Sequence, residues 1–423
     1  MRNAVGDGDS GWDLNGHEAN RHSDRCDQHC AQPGANIASL YALSEGMSLF
    51  VPSLSVQPND FTLAVQYATN ATDTQVFFNP YVSLVVDQSN NVWIANTTQS
   101  NVEEINNQGV PYTYSPMTNS CTNCNSIRSP YALAIDSRGN AWVANGTTVF
   151  SLCAGTGAQC SNSYTDYTNS TYGDVNVNLD ASVGLAFDGN GNLWITCQTL
   201  GTIPYYSLTE LMDVGNSTVG TANFANYQVA RKPQGVAVDV SGDPWLVDYF
   251  SGGYLDQISQ QGAVLNSVVT PPIPTSLAFD QTGNVWVVSG MLNKYNSSGV
   301  SLSGSLGYEY GSLFGAQAVV VDGSNRIWVT STNNGSSSSL GEFSNLGVYL
   351  GPSSNTGYES SGLLHPHALA IDESGNVWVG DENTTLIPGT AYYGAITKFV
   401  GLATPVLTPV YLGVQNGKIA AEP

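Results

Sequence analysis

The sequence is short of charge, and shortest of positive charge. Of 423 residues only 10% are charged, 11 basic against 33 acidic, for a net charge of -22. Lysine stands only at Lys232, Lys294, Lys398 and Lys418. Such a chain cannot gather phosphates electrostatically, which argues against nucleic acid and anionic membrane surfaces as partners. A small molecule, a glycan or a protein remains as the expected partner. Long apolar runs are also missing, so no segment is expected to span a bilayer. The opening residues Met1-Arg2-Asn3-Ala4-Val5-Gly6-Asp7 lack the apolar core of a secretion signal. The wealth of Asn, Ser, Thr, Gly and Tyr nevertheless suits an exported protein, secreted, periplasmic or at the cell surface, and that is the expected location.

What the chain does have is a repeated stretch, seen most plainly in Val183-Gly184-Leu185-Ala186-Phe187-Asp188-Gly189-Asn190-Gly191-Asn192-Leu193-Trp194. Its aspartate recurs as Asp87, Asp136, Asp188, Asp239, Asp280, Asp322 and Asp372. A tryptophan follows each by six residues: Trp93, Trp142, Trp194, Trp245, Trp286, Trp328 and Trp378. Successive aspartates are 49, 52, 51, 41, 42 and 50 residues apart. Before each Asp, bulky residues (Leu185, Phe187) alternate with small ones (Gly184, Ala186), the period of a strand with two uncharged faces. Three residues after each Asp stands Gly or Asn, the types that accept a positive φ, so the segment reads as a tight hairpin turn. Weaker third and fourth strands follow, as at 254–258, 340–343 and 347–350.

Four antiparallel strands repeated radially make a β-propeller. The prediction is all-β: seven blades, with repeats starting near 81, 130, 182, 233, 274, 316 and 366. Strand 61–67 is expected to close the ring as the outer strand of the last blade, because the prolines at 405 and 409 suit an inner strand poorly. The propeller spans 61–410. Residues 1–35 read as a disordered segment, 36–60 as a lead-in, and 411–423 as a loose tail. One cooperative domain and a monomer are expected.

Long polar inserts occupy 111–129, 153–180, 213–231 and 351–365, and loops on a rigid scaffold are where binding concentrates. Of the seven cysteines, Cys153 and Cys160 are the expected disulfide, with Cys121 and Cys124 as another candidate pair. The alternative, a four-thiolate zinc site, has poor spacing. Cys197 reads as a small buried residue. A funnel at the end of the hub away from the turns is the candidate site. Asn96, Asn145, Asp248 and Asp381, each three after its Trp, would line it with Tyr131, Lys232, Gln234, Gln317 and His367. The best candidates for acid–base chemistry or for a divalent metal, Mg2+ or Ca2+, are His365, His367 and Asp381. Strand-end Asn and Asp also serve to satisfy backbone groups, so a structural role for the ring is the competing reading.

The segments Pro233-Gln234-Gly235-Val236-Ala237-Val238-Asp239 and Pro366-His367-Ala368-Leu369-Ala370-Ile371-Asp372, each followed by Ser-Gly and a Trp, resemble the NHL-type repeat. The flanks Asn59-Asp60-Phe61-Thr62-Leu63-Ala64 and Ile396–Val406 are similar to those of exported bacterial NHL-repeat proteins related to the streptogramin (virginiamycin B) lyases. The resemblance covers about 36–410. It implies a propeller, and for the lyases a histidine from one blade, a Glu-x-His pair from the next, and Mg2+. This chain has no blade Glu-x-His, and His365 and His367 share one repeat. The expected function is therefore a binding scaffold working through its funnel and loops, with a lyase or metal-dependent hydrolase as the alternative.

Overall fold

The computed structural model describes residues 53–56, 63–68 and, within 82–420, all but 98–99, 114, 116, 118–126, 147, 154–166, 169–181, 199–205, 215–223, 230–231, 249–251, 309–312, 314, 333–337, 353–356, 360–362 and 385–392. The expected disordered segment 1–35, most of the lead-in, and Cys121, Cys124 and Cys160 lie outside them. Cys153 is disulfide-bonded.

Among the described residues the chain forms seven antiparallel sheets. Each begins with the hairpin of one repeat, such as Pro130–Ile135 with Ala141–Asn145, or Pro366–Ile371 with Val377–Thr384. The register explains the small position two before each Asp. Ala134, Ala186, Ala237, Ala278 and Ala370 sit directly across from the Trp of their own hairpin, as do Val85 and Val320. Cross-strand partners share a face, so an indole leaves room only for a small neighbour. The bulky positions turn the other way and receive the Trp of the preceding repeat. Trp142 packs with Leu185 and Phe187, Trp286 with Val319 and Val321, and Trp378 with Leu84 and Val86. Every one of these tryptophans is at most 1% exposed. Each buries on the order of 200 Å2 of mostly apolar surface. First strands touch in chain order, and the first strand of the last sheet touches that of the first. The architecture is a β-propeller.

The last sheet is completed from the other end of the described chain. Leu63–Ala68 pairs antiparallel with Tyr393–Phe399, and Ser53–Val56 adds a further strand that the sequence did not suggest. Tyr67 stacks on Trp378, as Tyr227 does on Trp194 within its own sheet. Both tyrosines then meet a glycine of the following repeat. A Cβ on Gly109 would lie 2.0 Å from the Tyr67 ring, and one on Gly262 would lie 1.9 Å from Tyr227.

Two expectations need correction. Three sheets have three strands rather than four, because the outer positions of the first, fifth and sixth repeats make only isolated bridges. The run 347–350, for example, keeps only the bridge Phe343–Tyr349. Its Gly347, and Gly351 and Pro352 just beyond, do not extend a ladder. The tail is also not loose throughout. Val410–Gln415 is a short helix, and Val414 and Ile419 are buried. The segment from Ala403 onward crosses the turn end of the hub. The Thr404 N–H donates to Asp322 Oδ2, Thr408 Oγ1 donates to the Asp87 carbonyl, and the Ala420 carbonyl accepts from Gln281.

Candidate functional site

The hub has two ends, built by different chemistry. At the turn end the seven aspartates do the same work in every repeat. Oδ1 of each accepts the backbone N–H two and four residues on. Oδ2 accepts the indole N–H of the Trp six residues on, at 2.9–3.4 Å. The residue three on has positive φ in all seven repeats, from Asn90 at 61° to Gly242 at 85°. The six-residue spacing is thus a hydrogen-bond distance: one carboxylate closes the turn and satisfies a buried indole donor. At Asp280, burial alone would raise the carboxyl pKa. Hydrogen bonds from Thr282, Asn284 and Asn345 outweigh it and hold the group below the usual carboxylate range. These aspartates are committed to the fold.

The far end begins at the first residues of the first strands. In five repeats the hairpin register slips there, leaving Tyr131, Val183, Gln234, Gln317 and His367 within the irregularity. A bulge re-aims the side chain it carries. Tyr131 is exposed at 38%, and the other four are half-buried. Val183 was not among the predicted site residues, since nothing in a valine marks it for a site. Gln234 Oε1 accepts a hydrogen bond from Gln198. Lys232 is half-buried just ahead of its strand.

The other half of the predicted funnel is corrected. Asn96, Asn145, Asp248 and Asp381 are at most 5% exposed, so they line no opening. Asn145 Oδ1 accepts the N–H groups of Arg128 and Ser129, and Asp381 Oδ2 accepts those of Leu364 and His365. Each holds the loop leading into its own first strand, which is the structural role. Asp381 is therefore a positioning residue for His365. Its Oδ2 is taken by the two backbone amides of the loop that carries His365. Among the described residues no group of three His, Cys, Asp or Glu is placed to hold a metal. Residues two and four after the Trp reach the next blade: Thr97 donates to the Pro130 carbonyl, Gln198 to that of Pro233 and Thr196 to that of Gln234, whereas Thr332 donates to the Gly315 carbonyl at the start of its own blade. Cys197 is a buried thiol.

Among the buried carboxyls away from either end, two have raised pKa values. Burial pushes Glu103 up to about 8, and neither of its oxygens has a hydrogen-bond partner. Burial also pushes Glu210 up to about 7, although Tyr227 donates to it at 3.0 Å.

No protein-family description and no curated protein matches this chain. Solved structures do. A streptogramin B lyase superposes with a TM-score of 0.56 at 12% identity, over 80% of this chain and 98% of that one. A catalytically inactive virginiamycin B lyase from Staphylococcus aureus with quinupristin gives 0.56 at 14%, over the same shares. A calcium-binding regucalcin from Agrobacterium tumefaciens gives 0.43 at 13%, over 78% and 94%. The chain has the β-propeller fold found in the streptogramin B lyases.

Proposed function

We propose that the chain is a seven-bladed NHL-type propeller, closed through Leu63–Ala68, that acts as an exported, monomeric binding scaffold. The observation that carries this is the bulged ring at the far end of the hub. It presents an exposed Tyr, two amides and an imidazole from separate repeats, with no turn carboxylate among them. An aromatic with convergent amides suits a polar, uncharged ligand, a glycan or a peptide surface. Strands hold these side chains, so the surface is formed before a ligand arrives and loses little freedom on binding. The test is a glycan and peptide screen by thermal shift, followed by Tyr131→Ala and Gln234→Ala. Ligands that raise the melting temperature of the wild type should bind each variant at least about tenfold more weakly, roughly 1.4 kcal/mol. Unchanged binding in both variants refutes the site.

The fold shared with the lyases favours a second reading, a lyase or hydrolase acting at the same end with His365 and His367. Incubation with quinupristin tests it. Ring opening that His367→Ala abolishes would establish the lyase, and an unaltered substrate would remove it. Melting curves in millimolar Mg2+ or Ca2+ test the divalent-cation expectation separately, a stabilised wild type being the supporting result.

A further inference from the structure

Beneath the bulged ring, toward the turns, the hub contains a cavity of about 360 Å3. All seven first strands line it with the residues just before their aspartates, and the tail from Val406 to Ala420 floors it. We propose that this cavity is a second binding site, distinct from the bulged ring, for a compact apolar molecule such as a fused-ring or branched hydrocarbon group.

The space exists because the position across from each indole must be small. Ala186, Ala237 and Ala278 all line the void and stay half-exposed to it although they lie inside the hub. Small residues at these positions leave the middle of the hub unfilled. The cavity thus follows from the packing that holds the blades. Its walls are aliphatic apart from Phe279 and Phe187, and the hydroxyl-bearing side chains in them are engaged. Ser83 Oγ accepts the Leu133 N–H, and Thr408 Oγ1 donates to the Asp87 carbonyl. A polar ligand would find few free side-chain partners, whereas a hydrocarbon needs none. An apolar protein cavity of about 150 Å3 stays dry and binds benzene. A volume a little over twice that accommodates about a dozen carbon atoms. The tail makes the floor a built one. It is pinned at Asp322, Asp87 and Gln281, in three different repeats, and turns Val406, Val414 and Ile419 toward the void.

Naphthalene is a suitable probe, added to the full chain and followed by thermal shift and by ligand-observed NMR. Saturable binding of one naphthalene per chain is expected, with the melting temperature rising as the ligand fills the void. Ala278→Leu and Ala186→Leu, made separately, place a side chain in the space. In either variant that keeps the wild-type circular dichroism, naphthalene affinity should fall by at least about tenfold. Should neither keep it, Ala237→Val, a smaller addition, is read in the same way. Tyr131→Ala should bind naphthalene as the wild type does, which separates this site from the bulged ring. No saturable binding to the wild type overturns the proposal. Undiminished binding in a folded filled variant does the same.

Discussion

Glu103 is the buried group whose removal should be easiest to read. It sits in the third strand of the first sheet, Asn101–Ile105, across from Ile94. Alternation puts it on the same face as Ile105, which packs with Trp378 and Ile396 of the last sheet. The side chain is therefore caught between the sheets at the two ends of the chain, fully buried, with no donor to either oxygen. Desolvation raises its pKa from 4.5 to about 8. Between those values the unfolded chain has released this proton while the folded chain still holds it. Stability must then fall as pH rises, and the loss is complete above about pH 8. At about 1.36 kcal/mol per pH unit the full span amounts to on the order of 4–5 kcal/mol. Glu103→Gln keeps the shape and removes the ionisation. The assay is urea unfolding at pH 5, 6.5 and 8, followed by fluorescence of the buried tryptophans. The wild type should lose stability steeply from pH 5 to 8, and the variant much less. A residual slope is expected in both, since burial also raises Glu210, to about 7. Parallel lines for the two proteins would show that Glu103 does not titrate in the folded state as its burial requires.

Three further outcomes follow from the repeat. Asp322→Ala leaves the Trp328 indole and two turn N–H groups without their acceptor, and also releases Thr404; a loss of about 2–4 kcal/mol in unfolding free energy is expected. Gly347→Val forces a side chain at positive φ into the Tyr308 ring, which lies 2.0 Å from the ideal Cβ; it should cost more than about 2 kcal/mol, with partial recovery when combined with Tyr308→Ser. Gln198→Ala removes both of that side chain's bonds to the next blade, to Pro233 and to Gln234, and leaves the Thr196 bond to the Gln234 carbonyl; a loss of about 1–2 kcal/mol is expected, and an unchanged midpoint would mean that these two bonds add nothing to the stability.

The propeller was legible because its rules are local. Alternating residue size, a positive-φ corner and a Trp at fixed spacing are each set within about a dozen residues, so Asp188 to Trp194 already contains the hairpin. The Leu63–Ala68 strand was legible by elimination, since the last repeat offers Pro405 and Pro409 where a fourth strand should run. The fourth strands themselves were overread: Gly347-Val348-Tyr349-Leu350 has strand composition, but its neighbours Gly351 and Pro352 decide how far the ladder runs.

The site was less legible because its parity depends on where loops go. Asn145 and Asp381, three after the Trp, carry the polar groups that a funnel needs, yet the loop before each first strand folds back over them and takes their oxygens. Sequence spacing fixes that these residues end a strand. It does not fix whether water or backbone meets them there, and burial at 0–5% decides for backbone. The tail failed for a related reason. Val410 and Val414 stand one helical turn apart and Ile419 follows, too few apolar positions to signal a helix by periodicity. Val410 stays exposed, and Val414 and Ile419 are buried against the end of the hub, where small residues such as Ala186, more than two hundred positions earlier, leave space. A segment that gains its structure only by covering a distant surface leaves little trace in its own composition. Tyr131, Gln234 and His367 are the opposite case: each follows the proline that begins a first strand, so the local pattern marks their position in the strand.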